Sequence, residues 1–184
     1  MIYLTSDLHL CHAREFVYKP RGFDDIHEMN NAIITNWNRT ISMDDEVYLL
    51  GDVMLNNNEE GLRLLRSLRG TIHILIGNHD TDNRVEAYRN CWNVCEVTYA
   101  TMFKYMHYNF YLSHYPTFTG NLQKDSLRKM TLNLYGHTHQ TTNFYNDIPF
   151  MYHVGVDSHE CVPVCIDDVI IEMEQKMAEC KRML

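Results

Sequence analysis

Short apolar segments that stop abruptly at a glycine or a polar group recur along this chain, and they constrain its fold more than any other feature. They occupy residues 2–4, 46–50, 72–76 and 132–135. Each has the length and apolar character of a buried strand. Gly51, Gly77 and Gly136 directly follow the last three. Because segments with helical periodicity lie between the first three strands, we expect an α/β or α+β protein layered around a mixed sheet.

The helical segments are marked by apolar spacing and by their end signals. Residues 25–40 carry apolar side chains at helical spacing behind a capping-box pattern, and residues 59–69 carry leucines on one side. Gly70 follows the second segment at the position of a C-terminal cap. A short helix is predicted at 84–91, and an amphipathic helix from Asp167 onward. Further strands are predicted at 94–106 and 108–113 (a hairpin or two adjacent strands), at 150–156 and at 162–166.

Length and charge favour one domain, spanning residues 1–184, without a membrane segment. The 184 residues contain 16 Lys and Arg against 24 Asp and Glu, a formal charge of −8, which disfavours long nucleic acid and anionic membranes as partners. No run approaches the ~18 apolar residues of a membrane helix, and the first residues do not resemble a signal peptide. We therefore expect a cytoplasmic protein whose six cysteines are reduced thiols.

Polar side chains with metal-binding chemistry follow the ends of five predicted strands. The carboxyl ends of strands in layered α/β proteins converge on one crevice, where ligands bind. In the Asp-x-His and His-x-His segments, alternation along an extended chain would aim both residues to the same side. The candidate ligands are Asp7, His9, Asp52, Asn78, His114, His137 and His139.

Seven mixed nitrogen and oxygen donors exceed what one ion takes from a protein. Two divalent metal ions that share a bridging carboxylate would use them, with water completing each coordination sphere. Histidine-rich coordination suits Mn, Fe, Ni, Co or Zn better than Mg or Ca. The candidate set contains no cysteine, which argues against a structural zinc site.

Taken in order, these segments resemble the blocks of the calcineurin-like metallophosphoesterase superfamily, which run D-x-H, G-D, G-N-H-D/E, H and G-H-x-H. The opening Thr5-Ser6-Asp7-Leu8-His9-Leu10-Cys11-His12 resembles its small bacterial and phage-type branch. The resemblance implies a four-layer α-β-β-α sandwich with mixed sheets. It further implies that Asp7, His9 and His139 bind one ion, that Asp52 bridges both ions, and that Asn78, His114 and His137 bind the second. His79 would be a general acid or charge stabiliser, oriented by Asp80.

Two segments depart from the pattern of related enzymes. His153 replaces the usual Asn of an N-V-G-V-D block that ends here at Asp157. The residues after Gly51-Asp52 lack the acid and Arg found in Ser/Thr protein phosphatases, which counts against that branch. Neither departure touches the candidate ligands.

Three further features have two interpretations each. His12 contacts phosphate or caps the turn that follows it. Arg21 clamps phosphate through its bidentate guanidinium or is an ordinary surface arginine. The polar segment 116–130, which includes Lys124 and Arg128, is a substrate-recognition loop or a solvated connection.

The function that these features predict is a hydrolase of the EC 3.1 type. Such a metal-dependent phosphoesterase would use metal-bound hydroxide to cleave a phosphodiester, a small phosphomonoester or a nucleotide. The alternative is a non-catalytic scaffold of the same fold that binds a protein partner. Such scaffolds typically lose ligands or the histidine of the G-N-H-D block, whereas this chain keeps all of them, which favours the enzyme. The sequence does not indicate an oligomeric state.

Overall fold

Two mixed β-sheets form the centre of the computed structural model, which describes residues 1–120 and 125–182. The strands are β1 (Ile2–Thr5), β2 (Glu46–Leu49), β3 (Thr71–Leu75), β4 (Val94–Thr98), β5 (Ala100–Tyr105), β6 (Tyr108–Ser113), β7 (Thr131–Tyr135), β8 (Met151–His153) and β9 (Val164–Cys165). The helices are α1 (Glu15–Tyr18), α2 (Ile26–Thr40), α3 (Asn58–Leu65), α4 (Asp82–Arg89) and α5 (Ile166–Arg182), with 3₁₀ turns at Leu127–Lys129 and Tyr145–Asp147.

The first sheet has the order β4-β3-β2-β1-β9 and the second the order β5-β6-β7-β8. Strands β1 to β4 pair in parallel and β9 runs antiparallel to β1. In the second sheet β6, β7 and β8 are parallel and β5 is antiparallel to β6. The carboxyl ends of β1, β2 and β3 therefore lie along one edge of the first sheet, and those of β6 and β7 along one edge of the second.

Two apolar clusters hold the layers together. The first contains buried side chains of α2, α3 and α4 with those of one face of the first sheet, such as Trp37, Leu65 and Ile72. The second contains side chains of the other face, of the second sheet and of α5, such as Leu4, Leu134 and Met173. Mixed sheets combined with helices confirm the predicted α/β class. The helices are divided unequally, since α1 contributes Val17 to the first cluster beside α2, α3 and α4, and α5 belongs to the second.

Two predicted segments differ from the structure. Residues 94–106 are divided at Tyr99 between β4 of the first sheet and β5 of the second. Helix α3 ends at Leu65, before the predicted 69, because the Asn93 side-chain amide donates to the Leu65 and Leu68 carbonyls at 2.8 and 2.9 Å. Gly70, with φ +87°, instead belongs to the turn that enters β3.

Other local predictions agree with the structure. The Asp25 carboxylate accepts a hydrogen bond from the Glu28 amide at 2.9 Å and caps α2 at its predicted start. The six cysteines are free thiols. Within residues 1–120 and 125–182, no helix combines the length and the apolar character needed to cross a membrane.

Candidate metal centre and active site

Three loops that follow strand ends are joined by hydrogen bonds that backbone amides donate. The Asp7 amide donates to the Gly51 carbonyl and the His9 amide to the Asp52 carbonyl, both at 3.0 Å. The His137 amide donates to Asp7 Oδ2 at 2.9 Å. The loops after β1, β2 and β7 are thus cross-linked, and they carry five of the candidate ligands, Asp7, His9, Asp52, His137 and His139.

The first donor group consists of Asp7, His9 and His139, whose ligand atoms lie within 4.8 Å of one another. The Nε2 atoms of His9 and His139 are 3.2 Å apart. Asp7 is fully buried, and its Oδ2 accepts from Ser6 Oγ as well as from the His137 amide. Its Oδ1 has no hydrogen-bond partner among the described residues. A buried carboxylate oxygen without a partner is costly unless a cation compensates it.

The second donor group consists of Asn78, His114 and His137. Asn78 Oδ1 lies 2.9 Å from His114 Nε2 and 2.8 Å from His137 Nδ1. His114 Nδ1 is 2.8 Å from the Leu50 carbonyl oxygen, which fixes the ring so that Nε2 faces the group. One oxygen from Asn78 and nitrogens from two histidines therefore converge beside Asp52.

Asp52 lies between the two donor groups. Its Oδ2 is 3.6 Å from His9 Nε2 and 3.7 Å from His114 Nε2. Its Oδ1 accepts a hydrogen bond from the His79 amide at 2.9 Å. Oδ2 is consequently the carboxylate oxygen that faces a ligand nitrogen of each group.

Burial sets the protonation of the donors. It lowers the pKa of His9 to about 2 and also lowers the pKa of His137, so both imidazoles are neutral near pH 7. Burial raises the pKa of the Asp7 carboxyl, and a cation bound beside it would lower that pKa again. Neutral imidazole is the form that binds metal ions. The donor set, with its unpartnered Asp7 oxygen, therefore fits divalent cations.

The backbone at these loops is left-handed rather than extended. Five candidate ligands have φ between 48° and 69°, namely Asp7, His9, Asp52, His137 and His139. The expected extended backbone is therefore wrong: Asp7 and His9 do reach the same donor group, but His137 and His139 reach different ones. A non-glycine residue in this region costs about 1–3 kcal/mol and persists only where surrounding contacts fix it, typically at functional sites. The inter-loop hydrogen bonds supply that constraint here.

Glycine is required at two positions by the close approach of ligand side chains. A Cβ on Gly136 would collide with Ser6 Oγ and lie 2.5 Å from Asp7 Oδ2. A Cβ on Gly77 would collide with Asp52 Oδ1 and lie 2.5 Å from the Asp52 amide nitrogen. Both distances are too short for real side chains, so these glycines let the loops pack directly against the two buried carboxylates.

His79 and Asp80 differ from the predicted arrangement. The His79 ring is exposed, with its centroid 5.6 Å from that of His9. The Asp80 carboxylate accepts from the amides of Gly77 and Asp52 at 2.9 and 2.8 Å. It also accepts from the Val53 amide and the Tyr88 hydroxyl.

Within the described residues none of the hydrogen bonds of Asp80 goes to the His79 ring, so the expectation that Asp80 orients this ring is not met. Burial raises the pKa of the Asp80 carboxyl, against the opposing hydrogen bonds from Gly77 and Tyr88. By geometry Asp80 is a positioning residue that holds two ligand loops.

Arg21 is neither at the surface nor free to clamp phosphate. Its side chain is 3% exposed, and its Nε and Nη2 donate to the two Asp157 oxygens at 2.8 and 3.0 Å. Nη2 also donates to the Asp7 carbonyl at 2.9 Å, and Nη1 donates to the Leu8 carbonyl at 3.3 Å. The predicted surface alternative is wrong, and the donors needed for a phosphate clamp are already engaged.

Asp157 is a candidate functional residue that the sequence did not single out. Its Oδ2 lies 2.9 Å from His139 Nδ1, on the side of the ring opposite the first donor group. Burial alone raises its pKa, but the hydrogen bonds from His139 and Arg21 outweigh burial and hold the pKa well below the usual value. The same contact raises the pKa of His139. A sequence signal for Asp157 existed, because it is the last residue of the segment 153–157 that resembles the N-V-G-V-D block.

His12 contacts another histidine rather than the turn that follows it. Its Nδ1 lies 3.2 Å from His9 Nδ1, and the ring is almost fully buried at the edge of the site. The turn is closed by backbone, with the Arg14 amide donating to the His12 carbonyl at 2.7 Å. His12 therefore supports the outer nitrogen of His9, and its predicted contact with phosphate stays a prediction.

The predicted recognition segment at 116–130 lies partly elsewhere. Lys124 is outside the described residues. Arg128 sits 5.7 Å from the Tyr108 ring centroid, at the start of β6, whereas His114 follows the end of that strand. His153 Nδ1 lies 2.8 Å from Ser158 Oγ. Residues 125–130 are thus not beside the site.

Comparisons with known proteins agree with this geometry. The calcineurin-like phosphoesterase superfamily domain profile matches residues 1–155. An uncharacterized protein of Methanocaldococcus jannaschii is 33% identical over 186 residues, covering 95% of this chain and 92% of the relative. The gene 66 protein of Mycobacterium phage D29 is 26% identical over 204 residues, covering 97% and 98%.

One solved structure shares the fold over nearly the whole chain. It is a protein of unknown function from Aquifex aeolicus, with a TM-score of 0.70 at 21% identity. The similarity covers 92% of this chain and 97% of that chain. At this level of identity the likeness concerns architecture alone.

Proposed function

This chain belongs to the calcineurin-like phosphoesterase superfamily, and from that premise we propose that it is a hydrolase of phosphate esters with a dinuclear metal centre. The first donor group would hold one ion and the second donor group the other. Asp52 would bridge them. Mn, Fe, Ni, Co and Zn suit the mixture of imidazole, carboxylate and amide donors.

The position of Asp52 is the observation that carries the proposal. Its Oδ2 lies 3.6 and 3.7 Å from one imidazole nitrogen of each donor group. A carboxylate that faces two histidine-rich sets suits two cations better than one, because its negative charge offsets their mutual repulsion. The unpartnered Asp7 Oδ1 supports the same conclusion, since it supplies a further anionic donor beside the first group.

Two divalent ions bound there would supply an acidified water and would stabilise charge on the phosphate. Other residues of the chain orient the side chains that would bind these ions. Asp157 and Arg21 fix the His139 ring through its Nδ1, and the Leu50 carbonyl fixes His114 in the same way. Asp80 holds the Asp52 and Gly77 loops against each other through their amides.

His79 is the residue positioned to handle the leaving group. Hydrolysis adds water across a P–O bond, so the departing oxygen needs one proton. The His79 ring is exposed beside His9 and lines the same cavity. It can donate a proton to the leaving oxygen or place positive charge beside the phosphate, a contribution worth about 10²–10⁴-fold in rate.

The test uses chelator-treated protein supplied with each of the five metals in turn. The substrates are p-nitrophenyl phosphate and bis(p-nitrophenyl) phosphate, a monoester and a diester. We expect metal-dependent release of nitrophenol, and a loss of at least about 10²-fold in His79→Ala with its metal content retained. His107→Ala, which changes an exposed histidine in the turn between β5 and β6, is the matched control.

Two results would contradict the proposal at different points. No hydrolysis of either ester with any metal would reject the enzyme and favour a non-catalytic scaffold. Full activity in His79→Ala would reject the role given to that side chain alone.

A further inference from the structure

A cavity of about 550 Å³ opens beside the first donor group and has a chemically mixed lining. Its polar lining residues are four histidines, His9, His12, His79 and His139, together with Asp157. Its apolar lining residues are Phe16, Val17, Pro20 and Leu55. The volume is in the range of sites that enclose small organic molecules. The donor region is therefore continuous with a space that an apolar group can fill.

Phe16 is exposed in a way that packing does not explain. Helix α1 is anchored by Val17, which is 6% exposed within the first apolar cluster, whereas Phe16 is 72% exposed. The Phe16 ring meets the His12 ring edge to face, with centroids 5.6 Å apart and an interplanar angle of 89°. A large exposed aromatic side chain beside a cluster of histidines leaves its faces available to a planar ligand.

The geometry points to this cavity as the site for the alcohol part of the substrate, and we propose that this part carries a planar aromatic group that packs on Phe16. The inference rests on the proposed function, because the phosphate must lie over the donor groups. His79 lines the cavity, so the oxygen that leaves would depart next to the residue that can protonate it. Aryl esters and nucleotides share this chemistry.

A second cavity of about 410 Å³ lies on another side of His139 and is less suited to this role. Its lining includes the carboxylates of Asp157 and Glu160 as well as Ser158 and Thr141. Phe23 and Val156 also line it, but His79 does not, so an alcohol group bound there would lie away from the proposed proton donor. The Phe16 cavity combines apolar lining residues with His79.

The experiment measures binding without turnover. Manganese-loaded wild type is titrated in a calorimeter with methylphosphonate, phenylphosphonate and the 5′-methylenephosphonate analogue of adenosine, which share a head group that is not hydrolysed. We expect at least one planar phosphonate to bind about fivefold more tightly than methylphosphonate. This ratio corresponds to about 1 kcal/mol of binding free energy, because a tenfold change in Kd corresponds to about 1.4 kcal/mol. The phenyl and adenosine arms distinguish an aryl ester from a nucleotide.

Variants assign the preference to Phe16. In Phe16→Ala the ratio of planar to methyl affinity should fall to below about twofold, and Phe16→Trp should preserve or raise it. Tyr99→Ala is the matched control, because Tyr99 is 75% exposed and lies between β4 and β5, outside the cavity lining. It should leave the ratio unchanged.

The outcomes separate this inference from the proposed function. Equal binding of the three phosphonates by a wild type that hydrolyses esters would overturn the cavity assignment alone. An unchanged ratio in Phe16→Ala would do the same. Selective binding of a planar phosphonate by a protein that hydrolyses no ester would support the cavity and contradict the proposed function.

Discussion

Replacing Asp157 by alanine removes the acceptor that joins Arg21 to His139. The Arg21 side chain is 3% exposed and that of Asp157 11%, and two hydrogen bonds of 2.8 and 3.0 Å connect them. Breaking a buried pair by removing one partner typically costs about 3–5 kcal/mol, because the remaining charge is uncompensated. Arg21 keeps the Asp7 and Leu8 carbonyls as acceptors, which places the expected loss near about 3 kcal/mol.

The same variant should weaken metal binding by a separate route. Without Asp157, His139 Nδ1 loses its 2.9 Å contact and keeps the longer one of 3.5 Å to Arg21 Nη2, so Nε2 is directed less firmly toward the first donor group. Loss of such an outer partner typically costs about 10–100-fold in metal affinity. The two effects can be measured separately, because stability is read in chelator and affinity by calorimetric titration with Mn²⁺.

Urea unfolding followed by the fluorescence of buried Trp37 gives the stability. Glu60→Ala is the control, since Glu60 and Arg63 also form a bidentate pair, at 2.6 and 2.7 Å, but at the surface. Exposed pairs contribute little, so its midpoint should stay near that of wild type. If Asp157→Ala unfolds at the same urea concentration as Glu60→Ala and binds Mn²⁺ as wild type does, the reasoning is refuted.

Three further predictions test other contacts. Gly136→Ala should lower metal content, measured by mass spectrometry of the purified protein, because the new methyl displaces Asp7; undiminished content would contradict this. Asp80→Ala should lower the urea midpoint by more than Asp80→Asn, because it leaves buried amides unpaired, each at about 1–3 kcal/mol; equal midpoints would argue otherwise. Hydrogen bonds from the N-terminal ammonium and Ser42 lower the pKa of Asp45 to about 2. Asp45 therefore stabilises the fold fully above the unfolded pKa of about 4 and loses this contribution as the pH falls toward 2. The stability difference between wild type and Asp45→Asn, measured by urea unfolding from pH 7 to 2, should shrink accordingly, and a constant difference would contradict it.

The elements that position the site were predictable because their signals are local. The apolar runs that became β1, β2, β3 and β7 end within two residues of the predicted positions, and candidate ligands follow each of them. Asp25 and its partner Glu28 mark the start of α2 within a single turn of chain. Such patterns need no knowledge of distant residues.

What escaped prediction depends on residues that are distant in sequence. Residues 94–106 read as a continuous strand, and their division at Tyr99 is decided by pairing with β3 on one side and β6 on the other. The guanidinium of Arg21 suits phosphate and carboxylate equally, and its carboxylate partner lies 136 positions away. The left-handed backbone at Asp7 and Asp52 results from hydrogen bonds between loops, which no local pattern encodes.

Anomalous diffraction from crystals of the manganese-loaded protein tests the proposed dinuclear centre most directly. We expect two peaks about 3.5–4 Å apart, one beside each donor group, with Asp52 Oδ2 between them. In Asp52→Asn, at least one peak should weaken or disappear. A single peak in wild type, or a pair of peaks that Asp52 does not touch, would contradict the account.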